Sequence, residues 1–339
     1  MKKIISILMA TLMLLSLFTL ISCDNDGTNE GTNEGTNEET TLKLGLGVVT
    51  EVSSTDAAEG QAGQGKATST VAAVLVDDEG KIVKAVIDCA EHTVDYTVDG
   101  KAVSNDGEFK TKYEKGDDYN MVAYGGATKE WFEQIDAFCA LTVGKTASEV
   151  EALVAADYKG TEDVINAGCT IYVSAFTNAV VKAINNATAS NATKNDTLKL
   201  GVYTSQSSAN DATADVNGTC ALATNFFAAA VDAEGKIVAA SSDCVEASFT
   251  FDVTGKSTLA VKEVATKKEQ GDDYGMKAWG GAAKEWYEQA AAFDAACIGK
   301  TAKEVPGLMG EDFKGNADLQ AAGCTIYVSA FVQAAAKIG

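Results

Sequence analysis

GDDYNMVAYGGATKEWFEQIDAF, residues 116–138, and GDDYGMKAWGGAAKEWYEQAAAF, residues 271–293, are one sequence written twice. Further on, AGCTIYVSAF stands at residues 167–176 and again, letter for letter, at 322–331. The chain therefore carries one domain in two copies, and each copy is a control for the other: a residue that only one keeps is suspect as a site.

Upstream of the quoted stretch, each copy opens with an extended apolar run, at residues 42–49 and 198–203. Next come β-branched runs at 71–76 and 81–88, joined by Asp78-Glu79-Gly80, and at 225–231 and 236–241, joined by Ala233-Glu234-Gly235. This pattern predicts hairpins. Residues 93–98, ahead of the Asp99-Gly100 turn, and 248–253 predict a further strand. Within the quoted stretch Met121, Tyr124, Thr128, Trp131, Ile135 and Phe138 fall three and four apart, which predicts a helix from about Asp118. The second copy offers Met276, Trp279, Ala283, Trp286, Ala290 and Phe293 in the same places. Shorter helices are expected at 146–155 and 301–308, and small-residue helices at 174–184 and 329–338. Strands first and helices after give an α+β fold: two tandem repeats, each an antiparallel sheet with helices packed on one side.

At the N-terminus, Lys2 and Lys3 precede an apolar run over 4–21 that meets Leu20-Ile21-Ser22-Cys23. The run is nearly long enough for a transmembrane helix, but a cysteine at its end followed by polar sequence favours a lipoprotein signal peptide over 1–22 and lipidation at Cys23. The expected location is then extracytosolic, anchored to a membrane through Cys23. Residues 23–41, with three copies of Gly-Thr-Asn-Glu from Gly27, predict a disordered tether. The repeats are expected at 42–185 and 197–339, separated by a flexible polar linker at 186–196 that would leave them free to move independently.

A net charge of −21 in 339 residues, with no basic patch, argues against nucleic-acid binding. Cys89 matches Cys244 and Cys169 matches Cys324, whereas Cys139, Cys220 and Cys297 have no cysteine counterpart. No zinc, iron–sulfur or c-type haem spacing occurs. Disulfides from Cys89 to Cys169 and from Cys244 to Cys324, or small buried thiols, both suit the pattern. His92 is the only histidine and has no counterpart, so chemistry that needs a histidine is set aside.

Three segments invite a functional reading. Gly-Lys-Thr at 144–146 and 299–301 lacks the upstream glycine of a phosphate loop, and a helix stop followed by a threonine N-cap explains it. Gly125-Gly126-Ala127-Thr128 offers Thr128 as an alternative acceptor hydroxyl, although its place on the apolar helical stripe and its counterpart Ala283 suit a core position better. Ala167-Gly168-Cys169-Thr170 and Ala322-Gly323-Cys324-Thr325 each precede a small-residue helix, with an acid upstream at Asp163 and Asp318. The glycine lets the backbone turn tightly and leaves the hydroxyl reachable. The plainer account of this third segment is a strand-to-helix turn kept for packing.

Residues 163–184 resemble the end of FMN-binding domains, in which an Asp, Ser-Gly-Ala-Thr and a helix rich in Ala and Val carry FMN as a phosphoester on the Thr. Residues 41–339 also resemble the tandem-domain flavinylated lipoproteins of bacterial extracellular electron transfer. The shared features are the opening Leu-Gly-Val-Val-Thr, the Asp-Glu-Gly-Lys-Ile-Val hairpin, Gly-Asp-Asp-Tyr-Gly-Met, Lys-Glu-Trp-Tyr-Glu-Gln and Val-Gly-Lys-Thr.

The resemblance implies covalent FMN on Thr170 and Thr325, with Gly168, Cys169 and Asp163, and Gly323, Cys324 and Asp318, around them. Tyr172, Tyr327, Tyr124, Trp279, Trp131 and Trp286 are then candidate neighbours of the flavin ring. It implies a flavin transferase, a membrane quinol or NADH oxidoreductase and an extracellular electron acceptor as partners. A redox carrier is expected rather than an enzyme with catalytic side chains. The alternative is a non-redox surface lipoprotein that binds a ligand or a partner protein through duplicated domains.

Overall fold

The structure is a computed structural model, and it describes residues 40–339. The expected signal peptide, the lipidated Cys23 and all but the last two residues of the tether lie outside the described residues. No helix among the described residues is long and apolar enough to cross a membrane.

The first copy builds an antiparallel meander from β1 (Lys43–Thr55), β2 (Gly63–Val76) and β3 (Ile82–Tyr96), followed by five helices. These are α1 (Lys112–Lys115), α2 (Trp131–Thr142), α3 (Ala147–Glu151), α4 (Glu162–Ala167) and α5 (Ser174–Asn185). After β4 (Thr188–Ala189), the second copy repeats the meander as β5 (Thr197–Asn210), β6 (Gly218–Val231) and β7 (Ile237–Phe251). Its helices are α6 (Lys267–Gln270), α7 (Trp286–Cys297), α8 (Ala317–Ala321) and α9 (Ser329–Ala336). The expected α+β class and helices on one side of each sheet are what the structure shows.

The central strands explain why the apolar runs are continuous. Side chains alternate across a strand, so Ala72, Val74 and Val76 of β2 face their own helices, while Val71, Ala73 and Leu75 face the second copy. In β6, Phe227, Ala229 and Val231 face helices and Phe226, Ala228 and Ala230 face the first copy. Both faces of each central strand are thus buried, which selects unbroken hydrophobic sequence. Opposite the helices, the two sheets share a core with Leu44, Leu46 and Val48 against Leu198, Val202 and Phe226. The last helix of each copy lies against its first strand because glycines let it: a Cβ on Gly45 would collide with the Ala183 carbonyl, and one on Gly201 with the Ala334 carbonyl.

Three expectations need correction. The polar linker is not a free hinge: β4 pairs with β1, Leu42 donates its N–H to Ala192 O at 2.7 Å, and Ala192 is fully buried. The described residues, 40–339, fall in one compact unit, because the face of each sheet turned away from its helices is apolar and is covered by the other copy. The strand expected at 93–98 is not separate but the end of β3.

The long helix expected from Asp118 begins only at Trp131. Gly126 has φ +68°, and Glu130 starts α2 through a capping box with Glu133 while its carboxylate accepts the Met121 and Val122 N–H groups at 2.8 and 3.0 Å. Helical spacing of apolar residues therefore continued into a glycine loop, and Thr128 is an exposed loop residue rather than a core one.

Candidate functional site

Each copy presents one threonine hydroxyl on a rigid mount. Helix α4 ends at Gly168, whose φ of +103° turns the chain back sharply, a conformation glycine adopts without strain. Cys169 then plugs into the core, fully buried, and Thr170 emerges exposed. Beneath it, Gln134 of α2 is buried. Its Oε1 accepts from Thr170 N at 2.9 Å and Thr170 Oγ1 at 3.1 Å, and its Nε2 donates to Lys129 O at 3.1 Å. The buried amide is satisfied at both ends, and it fixes the hydroxyl's proton inward while the oxygen faces outward.

The second copy reproduces this arrangement. Gly323 has φ +99°, Cys324 is buried, and Gln289 Oε1 accepts from Thr325 N at 2.8 Å and Oγ1 at 3.0 Å. Gln289 Nε2 donates to Lys284 O at 3.1 Å.

A lysine covers each glycine: a Cβ on Gly168 would collide with Lys129 Nζ, and one on Gly323 with Lys284 Nζ. Lys284 Nζ also donates to Ala322 O at 2.9 Å. A positive charge therefore sits over the glycine two residues before each presented hydroxyl. Exposed aromatics stand on the same loops and turns: Tyr124 and Trp279, each 87% exposed, on the glycine loops, and Tyr172 and Tyr327 two residues past the threonines. Tyr158 and Phe313 hold φ of +66° and +64°, unusual for bulky residues. Their carbonyls accept the Val173 and Val328 N–H groups at 3.0 and 2.9 Å. Both copies keep this conformation, with the ring at the surface.

Other residues expected at the site lie elsewhere. Trp131 and Trp286 are buried against Phe176 and Phe331, so they belong to the core. Asp163 and Asp318 are exposed in the first turns of α4 and α8, with a helix between each and its threonine, where they suit the helix dipole. The described cysteines are free and buried. Burial pushes the Cys169 and Cys324 thiols up to about 11, so neither is a thiolate at neutral pH. Thr146 caps α3 in a capping box with Glu149, as the Gly-Lys-Thr pattern suggested.

Sequence reasoning passed over Gln134, Gln289, Lys129, Lys284, Tyr158 and Phe313. The glutamines and lysines were legible in principle, because Lys-Glu-Trp and the following Gln recur in both copies of the quoted stretch.

No family model matches the chain, and no solved structure matches it. A chlorophenol reductase of Desulfitobacterium hafniense is 35% identical over 94 aligned residues, covering 24% of this chain and 29% of that protein. The chain thus spans under a third of the length of the relative it matches.

Proposed function

We propose that this chain is a membrane-anchored, extracytosolic electron carrier with FMN esterified through its phosphate to Thr170 and Thr325. The observation that carries the reading is the twofold presentation of an exposed threonine hydroxyl by a buried glutamine, Gln134 and Gln289, with a lysine over the glycine two residues before it. These residues fit the group. The hydroxyl oxygen is reachable, the ammonium of Lys129 or Lys284 matches a phosphate, and Tyr172, Tyr124 and Tyr158, or Tyr327, Trp279 and Phe313, offer flat surfaces to an aromatic ring.

FMN, when bound, supplies reversible electron transfer through its isoalloxazine ring. The chain's own part is to hold that ring. Gln134 and Gln289 orient the acceptor oxygen, Gly168 and Gly323 let the lysines come close, and the strained Tyr158 and Phe313 keep a ring at the surface. A covalent ester suits a protein facing open solution, where a reversibly bound cofactor would be lost to dilution. On this reading a flavin transferase loads the protein, a membrane quinol or NADH oxidoreductase reduces it, and an extracellular acceptor oxidises it. Cys23 keeps it at the lipid membrane.

Protein purified from its native membrane should be yellow, with flavin absorbance that stays with the polypeptide after denaturation. Colourless protein from cells with an active flavin transferase would leave the alternative, a non-redox binding lipoprotein.

A further inference from the structure

The two copies differ most usefully along the seam between them. In the first copy, the groove between β3, α2 and the start of β5 encloses about 350 Å³, and Lys84 crosses it to donate its Nζ to Asp196 O. The position matching Lys84 is Ala239, and the matching groove, between β7, α7 and β4, opens to about 640 Å³. That volume is typical of small-molecule sites. Ala291 replaces Asp136 in its wall, removing a further charge.

The polar residues change together in the opposite sense. Asp294 stands where the first copy has Cys139, Lys268 where it has Tyr113, Ser241 where it has Val86, and Tyr287 where it has Phe132. Asp294 is 8% exposed; its Oδ2 accepts the Ser242 N–H at 3.1 Å and lies 3.6 Å from Lys268 Nζ. Its Oδ1 and the Ser242 hydroxyl are both buried without a partner at hydrogen-bond distance and angle, although that hydroxyl is close enough to act on the carboxyl. Lys268 Nζ donates to Ser241 Oγ at 3.2 Å. A buried carboxyl is costly unless it is paired, and here the carboxyl and the Lys268 ammonium that line the cavity stand 3.6 Å apart, longer than a hydrogen bond. Packing does not demand the acid, since the first copy fills the same place with a thiol.

We infer that this seam cavity of the second copy is a binding site for a small, uncharged, largely apolar molecule carrying a hydroxyl group. The hydroxyl donates to the Asp294 carboxyl and accepts from the Lys268 ammonium, a pairing for which one O–H has both the donor and the acceptor. Val238, Ala239, Ala295 and Ile298 form the apolar wall for the hydrocarbon body, for which 2-naphthol serves as the probe. The linker closes the other side through Thr188 to Asn191, so the segment expected to be a hinge is a wall of the site. The site is separate from Thr170 and Thr325 and stands whether or not they carry flavin.

Calorimetric titration of the mature chain with 2-naphthol, and with naphthalene as the control lacking the hydroxyl, tests this. One saturable site for 2-naphthol is expected, with naphthalene bound about tenfold more weakly or worse. Ala239→Lys, which restores the side chain that fills the first copy's groove, should abolish binding. Asp294→Asn, which keeps the acceptor oxygen for Ser242 N–H, should weaken it about tenfold, and decides the matter if Ala239→Lys disturbs the fold by circular dichroism. Absence of saturable binding, equal affinity for naphthalene, or wild-type affinity in the well-folded variants would overturn the inference.

Discussion

The threonine mounts and the seam grooves are two pairs of sites with opposite histories. At the mounts, Thr170 lies 2.9 and 3.1 Å from Gln134 Oε1 through its N and Oγ1, and Thr325 lies 2.8 and 3.0 Å from Gln289 Oε1. The glycine φ angles of +103° and +99° match as closely. At the seam, Lys84 faces Ala239 and Cys139 faces Asp294 in the sequence comparison. Both regions are partly solvent-exposed, so packing alone does not separate them. The lesson is that the duplicated surface was held where a hydroxyl is displayed and released at the seam, although the copies bury a common core beside it.

The sharpest break of this comparison is through the shared core. Phe226 faces the first copy and Phe227 faces the second copy's own helices, and both are fully buried. Each change to alanine should cost about 3–5 kcal/mol. Urea denaturation should show one shifted transition for Phe226→Ala as for Phe227→Ala, because the halves unfold together. Two separate transitions would contradict the common core.

A smaller effect tests the equivalence of the copies by pH. Burial pushes the Asp88 and Asp243 carboxyls up to about 6, against hydrogen bonds that include the Cys89 and Cys244 N–H groups at 2.6 and 2.7 Å. A raised carboxyl favours folding while it is protonated. Its contribution is complete below the ordinary value near 3.8 and is lost as pH rises through 6. Asp88→Asn and Asp243→Asn should therefore each gain about 2–3 kcal/mol relative to wild type between pH 4 and pH 7 in urea titrations. A swing in one copy alone would show that the two sites have diverged.

The smallest effect separates the copies. Burial opposes ionisation of Glu91, but Lys66 at 2.7 Å and Lys112 at 2.9 Å outweigh it and hold the carboxyl at about 2. Its contribution is present above the ordinary value of 4.5 and disappears as pH falls through 2. Among the described residues Glu246 pairs with one lysine, Lys267 at 3.4 Å, and the Ser207 hydroxyl at 3.4 Å, because Ala221 stands where the first copy has Lys66. At neutral pH, Glu91→Gln should cost about 1 kcal/mol and Glu246→Gln less, measured by thermal melts side by side.

The duplication, the hairpins and the final helices were legible because apolar alternation and turn residues are local signals. The true start of α2 was not, since the spacing of Met121, Tyr124 and Thr128 imitates a helix while Gly125-Gly126 and the Glu130 cap end it. The shared core was hidden for a different reason. The run from Val71 to Val76 reads the same whether its second face meets helices or another sheet, and only the fold shows that Phe226 covers it. Of the site, Thr170 and Thr325 could be picked from a repeated segment, but Gln134 and Gln289 lie 36 residues before them in sequence and meet them only in space.

The most direct test is the intact mass of the mature protein after co-expression with a flavin transferase outside the cytoplasm, with Thr170→Ala, Thr325→Ala and Thr128→Ala alongside. Two FMN adducts, one lost with Thr170 and the other with Thr325 while Thr128→Ala keeps both, is the predicted result. An unmodified chain under an active transferase, or adducts lost only with Thr128, would contradict the assignment of the two threonine mounts.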